Sequence, residues 1–274
     1  MRIVLPKVEI IPRMDPLKKV ELCARVSYKS EGKITDDSAE RFCRKLLELG
    51  HTSVFEHSRV LVKTSSWYNY DPYGAMYRIL SADPEHPEKD LWLMNARDYL
   101  AGGKTLDDLK GLPEANDYMS VRFTCDRAIA NELVRHRQMS VTQSSTRYIN
   151  YKNGVDFVLP VPFDWTTYSE VLTDIRPASE DPRYAEWKQA CAYAERAYIQ
   201  MIRHDATPQE ARDVLPMSTK TELIMTGMYR QWEDVFKLRL DRAAHPQMQY
   251  LMRLLVDLPE FPKDKIKVEV KNVD

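Results

Sequence analysis

The chain has 274 residues, with 40 Lys and Arg against 41 Asp and Glu, a net charge of -1 and 43% hydrophobic side chains. That apolar content can build a core and the charges cancel, which argues against an intrinsically disordered chain and against a general nucleic-acid binder. No apolar run approaches the ~18 residues of a membrane span, and Met1-Arg2-Ile3-Val4-Leu5-Pro6 carries no export signal, so a cytoplasmic protein without a membrane partner is expected. Cys23, Cys43, Cys125 and Cys191 lie far from any C-x-x-C spacing and read as reduced, buried thiols. No metal site is expected.

In chain order, alternation around Val4, Val8 and Ile10 predicts a strand over residues 2–11, and Pro16 opens a helix carrying Leu17, Val20, Ala24 and Val26. Asp37 and Glu40 have capping-box spacing at the head of a second helix with Phe42, Leu46 and Leu49 on its apolar face, and Gly50 suits a left-handed C-terminal cap. Residues 53–65 read as a strand through Phe55, Val60 and Val62. Over residues 66–116, Pro72, Pro84, Pro87 and Pro113 punctuate two short helical patterns, the second broken at Gly102-Gly103. This stretch reads as an insertion within one domain spanning 1–274.

A strand over 118–125 and a helix over 126–139 burying Ile129 and Leu133 follow, then a Ser/Thr-rich stretch over 140–152. The longest helix starts at Pro182, with Trp187, Cys191, Ala194, Tyr198 and Met201 at helical spacing. Thr207-Pro208-Gln209-Glu210 combines a capping box with proline in the first turn. Two further helices are predicted over 229–240 and 246–257. Without internal repeats, the pattern gives an α+β class, a single domain with a mixed helix and antiparallel-sheet core.

The chemistry concentrates between Leu133 and Val155, where no acidic residue occurs while Arg135, Arg137, Arg147 and Lys152 supply cations among Ser, Thr and Gln. Arg offers a rigid bidentate fork and hydroxyls fill the remaining acceptor positions, as a phosphorylated ligand requires. By composition alone a solvated basic loop at a helix end accounts for the stretch equally well. Cations this close repel unless an anion is bound or acids arrive from elsewhere, which favours a ligand.

The run Arg135-His136-Arg137, seven residues, Ser145, one residue, Arg147-Tyr148 resembles the signature of the flavin-dependent thymidylate synthases. Ala24-Arg25-Val26-Ser27-Tyr28, Gly50-His51-Thr52-Ser53-Val54-Phe55-Glu56-His57, Ala211-Arg212-Asp213-Val214-Leu215-Pro216 and the segment from Arg230 through Arg239 to Ala244 resemble further blocks of that family, in the same order. The resemblance implies conversion of dUMP to dTMP, with methylenetetrahydrofolate as carbon donor and FAD reduced by NADPH as hydride source, in a homotetramer whose active sites lie between subunits. It assigns FAD to Ser53, Arg135, His136, Arg137, Gln143 and Arg230. It assigns dUMP to Glu132, Arg135, Gln143, Ser145, Arg147, Arg212 and Arg239, with Arg239 as the catalytic group.

Some positions depart from the family's habits: Met228 stands where Asn is common and cannot replace an amide hydrogen bond, and Ala243 stands where His is common. His51 and His57 admit a structural hydrogen bond as readily as a ligand contact, and Trp67, Tyr68 and Tyr70 admit packing as readily as ring stacking. The other route to dTMP needs a cysteine nucleophile, commonly in Pro-Cys-His, and Leu22, Phe42, Thr124 and Ala190 precede the four cysteines here. Two alternatives stand beside the main reading: a relative that traps the methylene with water to make 5-hydroxymethyl-dUMP, and a non-catalytic nucleotide-binding scaffold.

Overall fold

The computed structural model describes residues 1–63, 77–79, 91–160, 171–172 and 182–268. In chain order the strands are β1 (Arg2–Val4), β2 (Lys7–Ile11), β3 (Arg59–Lys63), β4 (Tyr77–Ile79), β5 (Leu91–Asn95), β6 (Tyr118–Asp126), β7 (Ser140–Gln143), β8 (Asp156–Val158), β9 (Val171–Leu172) and β10 (Lys220–Met228). The helices are α1 (Pro16–Val26), α2 (Ser38–Glu48), α3 (Ala96–Ala101), α4 (Leu106–Leu109), α5 (Arg127–Leu133), α6 (Pro182–Arg203), α7 (Pro208–Ala211), α8 (Tyr229–Arg239) and α9 (Pro246–Asp257). The class is α+β, as expected.

The principal sheet runs β2-β6-β10-β7, antiparallel throughout. Its two faces follow from the alternation of side chains along β10. Leu223 and Met225 join Phe123, Ile129, Leu133, Trp232, Phe236, Leu251 and Met252 beneath α5, α8 and α9, while Ile224 packs on Ile11, Cys23 and Val26 on the α1 side. Trp232 is fully buried and its indole N–H donates to the Met119 carbonyl at 3.0 Å, so its one polar atom is satisfied. A second sheet, β3-β5-β4, lies over another core in which Val20, Cys43, Leu46, Phe55, Val60, Met94 and Leu109 meet. α6 covers a third around Tyr151, Phe157, Cys191 and Tyr198.

Several sequence expectations change. The predicted strand over 2–11 divides at Leu5-Pro6: β1 pairs in parallel with β8, and β2 pairs with β6. Proline lacks the N–H that a continuous ladder needs. Residues 53–57 form a 3₁₀ turn rather than the start of a strand, so β3 begins only at Arg59. The helix expected over 126–139 stops at Leu133, because the next residues turn to bring Met139 under the sheet and Ser140 opposite Thr226. The Asp37 capping box does not form. The Asp37 carboxylate instead accepts from the Thr35 hydroxyl at 2.7 Å, and Ser38 Oγ donates to the buried Glu21.

Other expectations hold. Gly50 takes φ +71° and closes α2 with paired bonds, Gly50 N–H to Leu47 O and His51 N–H to Leu46 O. The Thr207 capping box forms with Glu210. Within the 66–116 stretch, Gly102 caps α3, whereas strand β5, fully paired with β3, is not foreseen by the periodicity. Trp67, Tyr68, Tyr70, Pro72, Pro84, His86 and Pro87 lie outside the described residues. Nor does the sequence reading anticipate β10, the strand on which the sheet is centred.

Gly227 in β10 faces buried Met139, and a methyl group added there would overlap the Met139 thioether. Gly227→Ala is expected to destabilise the fold by about 1–3 kcal/mol through overpacking. Thermal denaturation tests this, and an unchanged Tm would mean that Met139 repacks freely.

Candidate active site

β7 is four residues long, so its ends are separated by only about 10 Å of extended chain. The candidate residues of the signature fall at those two ends. Before β7, the last turn of α5 carries Glu132 and the turn that follows carries Arg135, His136 and Arg137; Gln143 ends β7, and Ser145 and Arg147 come after it.

At the first end, Arg239 in the last turn of α8 lies across the Glu132–His136 turn. Its Nε–H donates to His136 Nε2 at 2.8 Å, Nη1 to Glu132 Oε2 at 2.8 Å and Nη2 to the Glu132 carbonyl at 2.7 Å. The ion pair is partly shielded, with the Arg239 side chain 16% exposed and that of Glu132 32%. Burial, and then the adjacent Arg239 charge, push the His136 imidazole down to about 4, so it is neutral near pH 7 and free to accept. Glu132 and Arg239 also line an open pocket of about 1090 Å³, together with Asp234, Lys237, Asp241, His245 and Lys267. Arg135, Arg137 and, at the head of α8, Arg230 are exposed. Among the described residues the side chains of these three have no hydrogen-bond or ion-pair partner.

At the second end, Ser144 Oγ lies 3.0 Å from Thr221 Oγ1, and Gln143 Nε2 donates to that same oxygen at 3.1 Å, fixing the exit from β7 against β10. The Ser145 amide donates to the Ser27 carbonyl, and Ser145 Oγ accepts from the Arg147 amide at 3.3 Å. Arg147 Nε donates to Gln209 Oε1 at 3.0 Å. Gln209 lies in α7, and Arg212 follows it by three residues, so the Thr207 capping box brings both arginines to one neighbourhood. Arg212 is only loosely paired, 3.9 Å from Asp213. No histidine or carboxylate bonds to Ser145 Oγ among the described residues, so the serine has no activating base. Tyr28 and Tyr148 stack at 4.8 Å beside this group. Sequence reasoning missed both Gln209 and this stack.

Ser53 is exposed on a 3₁₀ turn that His57 anchors from beneath. His57 Nδ1 meets Thr226 Oγ1 and Nε2 meets Thr142 Oγ1, each at 2.8 Å, while Thr226 Oγ1 donates to Ser120 Oγ. Thr226 has one hydroxyl hydrogen and gives it to Ser120, so it accepts from His57. The proton therefore sits on Nδ1, and Nε2 accepts from Thr142. Full burial pushes this imidazole down to about 3, which keeps it neutral. Of the two open readings, His57 is a structural hydrogen-bonding residue, and His51 is exposed.

Within one chain, then, Glu132, His136 and Arg239 are joined, as are Ser145, Arg147 and Gln209. Among the described residues no hydrogen bond or ion pair links the two groups.

Residues 9–66 and 116–261 match the family model described as Thy1, thymidylate synthase complementing protein. The chain is similar to proteins named flavin-dependent thymidylate synthase from Mycobacterium tuberculosis, 30% identical over 129 residues covering 46% of this chain and 50% of the relative. A protein of the same name from Pyrococcus furiosus is 28% identical over 149 residues, covering 54% and 55%. The chain spans about half the length of the curated relatives it matches. Among solved structures, the UMP/dUMP methylase PolB from Streptomyces cacaoi bound with 5-Br dUMP aligns over 93% of this chain and 89% of that one, at 20% identity and TM-score 0.44.

His57 is neutral when folded but takes a proton below pH 6.5 when unfolded, so its contribution is fully present above that pH and is lost as pH falls towards about 3. Unfolding free energies from urea titrations are expected to fall with decreasing pH more steeply for the wild type than for His57→Gln, by about 1.4 kcal/mol per pH unit in that window. Parallel slopes would show that His57 is protonated in the folded chain.

Proposed function

Because this chain belongs to the thymidylate synthase complementing protein family, we propose that it is a flavin-dependent thymidylate synthase. In this reading it methylates dUMP to dTMP, with 5,10-methylenetetrahydrofolate as carbon donor and NADPH-reduced FAD as hydride source. The observation that carries the reading is Arg239, held by three bonds at the wall of a pocket large enough for a nucleotide. Without a thiolate adding at C6, the uracil must be made electron-rich through its own N3–H, and a fixed guanidinium stabilises the anion left at N3 and O4.

The thiols agree. All four cysteines are buried; burial pushes Cys23 and Cys43 up to about 12 and raises Cys125 and Cys191 as well, so none is an available nucleophile. Arg147 and Arg212 suit the nucleotide phosphate, Ser145 and Gln143 its polar edges, and Glu132 the mouth of the pyrimidine pocket. The exposed guanidiniums of Arg135, Arg137 and Arg230, with Ser53, have the chemistry to hold FAD through its pyrophosphate and ring edge. When bound and reduced, the flavin supplies the hydride.

The division of the candidate residues into two groups supports an oligomer, a homotetramer in this reading, in which different subunits complete each site. The chain is taken as one domain, 1–274, with 66–116 as an insertion. Product analysis with dUMP, methylenetetrahydrofolate, NADPH and FAD tests the reaction: dTMP supports it, 5-hydroxymethyl-dUMP would point to the water-trapping relative, and a colourless protein that cannot be loaded with FAD would point to a scaffold. An active monomer by light scattering would overturn the shared site. Arg239→Lys is expected to keep FAD and fold normally yet lose about 100-fold in turnover.

A further inference from the structure

We propose that Lys29 is a positioning residue for the nucleotide site: from a strained left-handed turn it pins the end of α1 onto the loop over 144–151, and so holds Ser145 and Arg147 where dUMP would meet them. The proposal rests on the thymidylate synthase reading for what those two residues bind, while the clamp itself rests on geometry.

Three consecutive residues after α1 engage the loop at three evenly spaced positions. The Ser27 carbonyl accepts from the Ser145 amide at 2.9 Å, the Tyr28 ring stacks on Tyr148 with centroids 4.8 Å apart, and Lys29 Nζ lies over the Tyr151 ring, 5.9 Å from its centroid. The spacing follows from the coiling of the loop itself. The amides of Tyr148 and Ile149 both donate to the Ser145 carbonyl, at 3.2 and 3.1 Å, so every third side chain returns to one side. The start of the loop is held separately by β10, where the Ser144 amide donates to the Glu222 carbonyl at 2.7 Å and Ser144 Oγ accepts from the Glu222 amide at 3.1 Å.

The first two contacts of the clamp are weak by themselves. One is a single backbone bond, and Tyr28 and Tyr148 remain 46% and 53% exposed, so their stack buries little. Lys29 is different in kind, because its φ is +48°. In that conformation Cβ crowds the backbone, and a glycine would close the helix with less strain. The lysine side chain offsets this cost by carrying its ammonium over Tyr151 and among the carboxylates of Glu31, Asp156 and Glu222, with Lys220 opposing. Asp156 and Glu222 are already tied to Lys220, and Glu222 and Glu31 to Arg122. Lys29 therefore reaches a framework fixed by β6, β8 and β10, and the turn it belongs to gains an anchor that its own backbone does not supply.

The test compares Lys29→Gly, which relieves the left-handed backbone and removes the anchor, with Lys29→Arg, whose guanidinium can replace the ammonium over Tyr151, in full-length protein loaded with FAD. For Lys29→Gly the expected results are an unchanged or higher Tm, a dUMP dissociation constant raised about 10-fold by calorimetry, as for the loss of one organised interaction, and kcat retained at saturating dUMP. Lys29→Arg is expected to keep wild-type dUMP affinity. Unchanged dUMP affinity in Lys29→Gly would overturn the proposal, and so would a loss of affinity accompanied by a lower Tm, which would mark a merely structural residue. A readout independent of any ligand is hydrogen exchange of the peptide spanning 144–151, followed by mass spectrometry. Faster exchange in Lys29→Gly supports the clamp and unchanged exchange overturns it. A wild type that binds no dUMP would overturn the functional reading, leaving the exchange comparison to decide the clamp.

Discussion

β10 is covered on both faces and has a strand on each edge, so each of its backbone polar groups must find a partner inside the protein. β6 and β7 meet that demand, and in doing so β10 fixes the height at which β7 begins and ends. The signature residues inherit their positions from this pairing: Thr226 opposite Ser140 sets the turn that carries His136 on from the end of α5, where Glu132 lies, and Leu223 opposite Gln143 sets the exit towards Ser145 and Arg147. β10 then runs directly into α8, so the strand that places Glu132 also places Arg239, whose guanidinium meets it.

A polar chain on the α1 side of the same sheet ties in the turn that carries Ser53. His57, Thr142, Thr226 and Ser120 are joined in one hydrogen-bonded chain, which lowers the desolvation cost of burying them. Replacing one member strands its neighbour, so the turn and β7 are expected to move as one unit. The Arg59 guanidinium, bonded to Ser140 Oγ, adds a further tie between β3 and the start of β7.

Much of this was legible in the sequence wherever a signal is local. Pro16, Gly50, Thr207-Pro208 and the amphipathic periods of α8 and α9 each mark their element through nearby residues. β10 carries no such mark: Thr221 to Gly227 is buried without alternation, which a pattern of period two cannot detect. The end of α5 has no local mark, because residues after Leu133 remain compatible with helix, while the reason to stop lies in the pairing of Ser140 with Thr226, far along the chain. The site divides the same way. Arg135 to Arg147 forms a compact motif, but the partners of Arg239 lie 103 and 107 residues away and those of His57 85 and 169.

The four buried thiols have a use unrelated to catalysis. Cys125 lies in the core beneath α8 and α9, Cys43 in that between α2 and β3, Cys191 under α6, and Cys23 against the opposite face of the principal sheet. A thiol reagent reaches each sulfur only when its own compartment opens, so the four alkylation rates are four separate clocks. Identifying the labelled peptides over time would rank the compartments by opening free energy and show whether the sheet and the layers around it come apart together or one at a time.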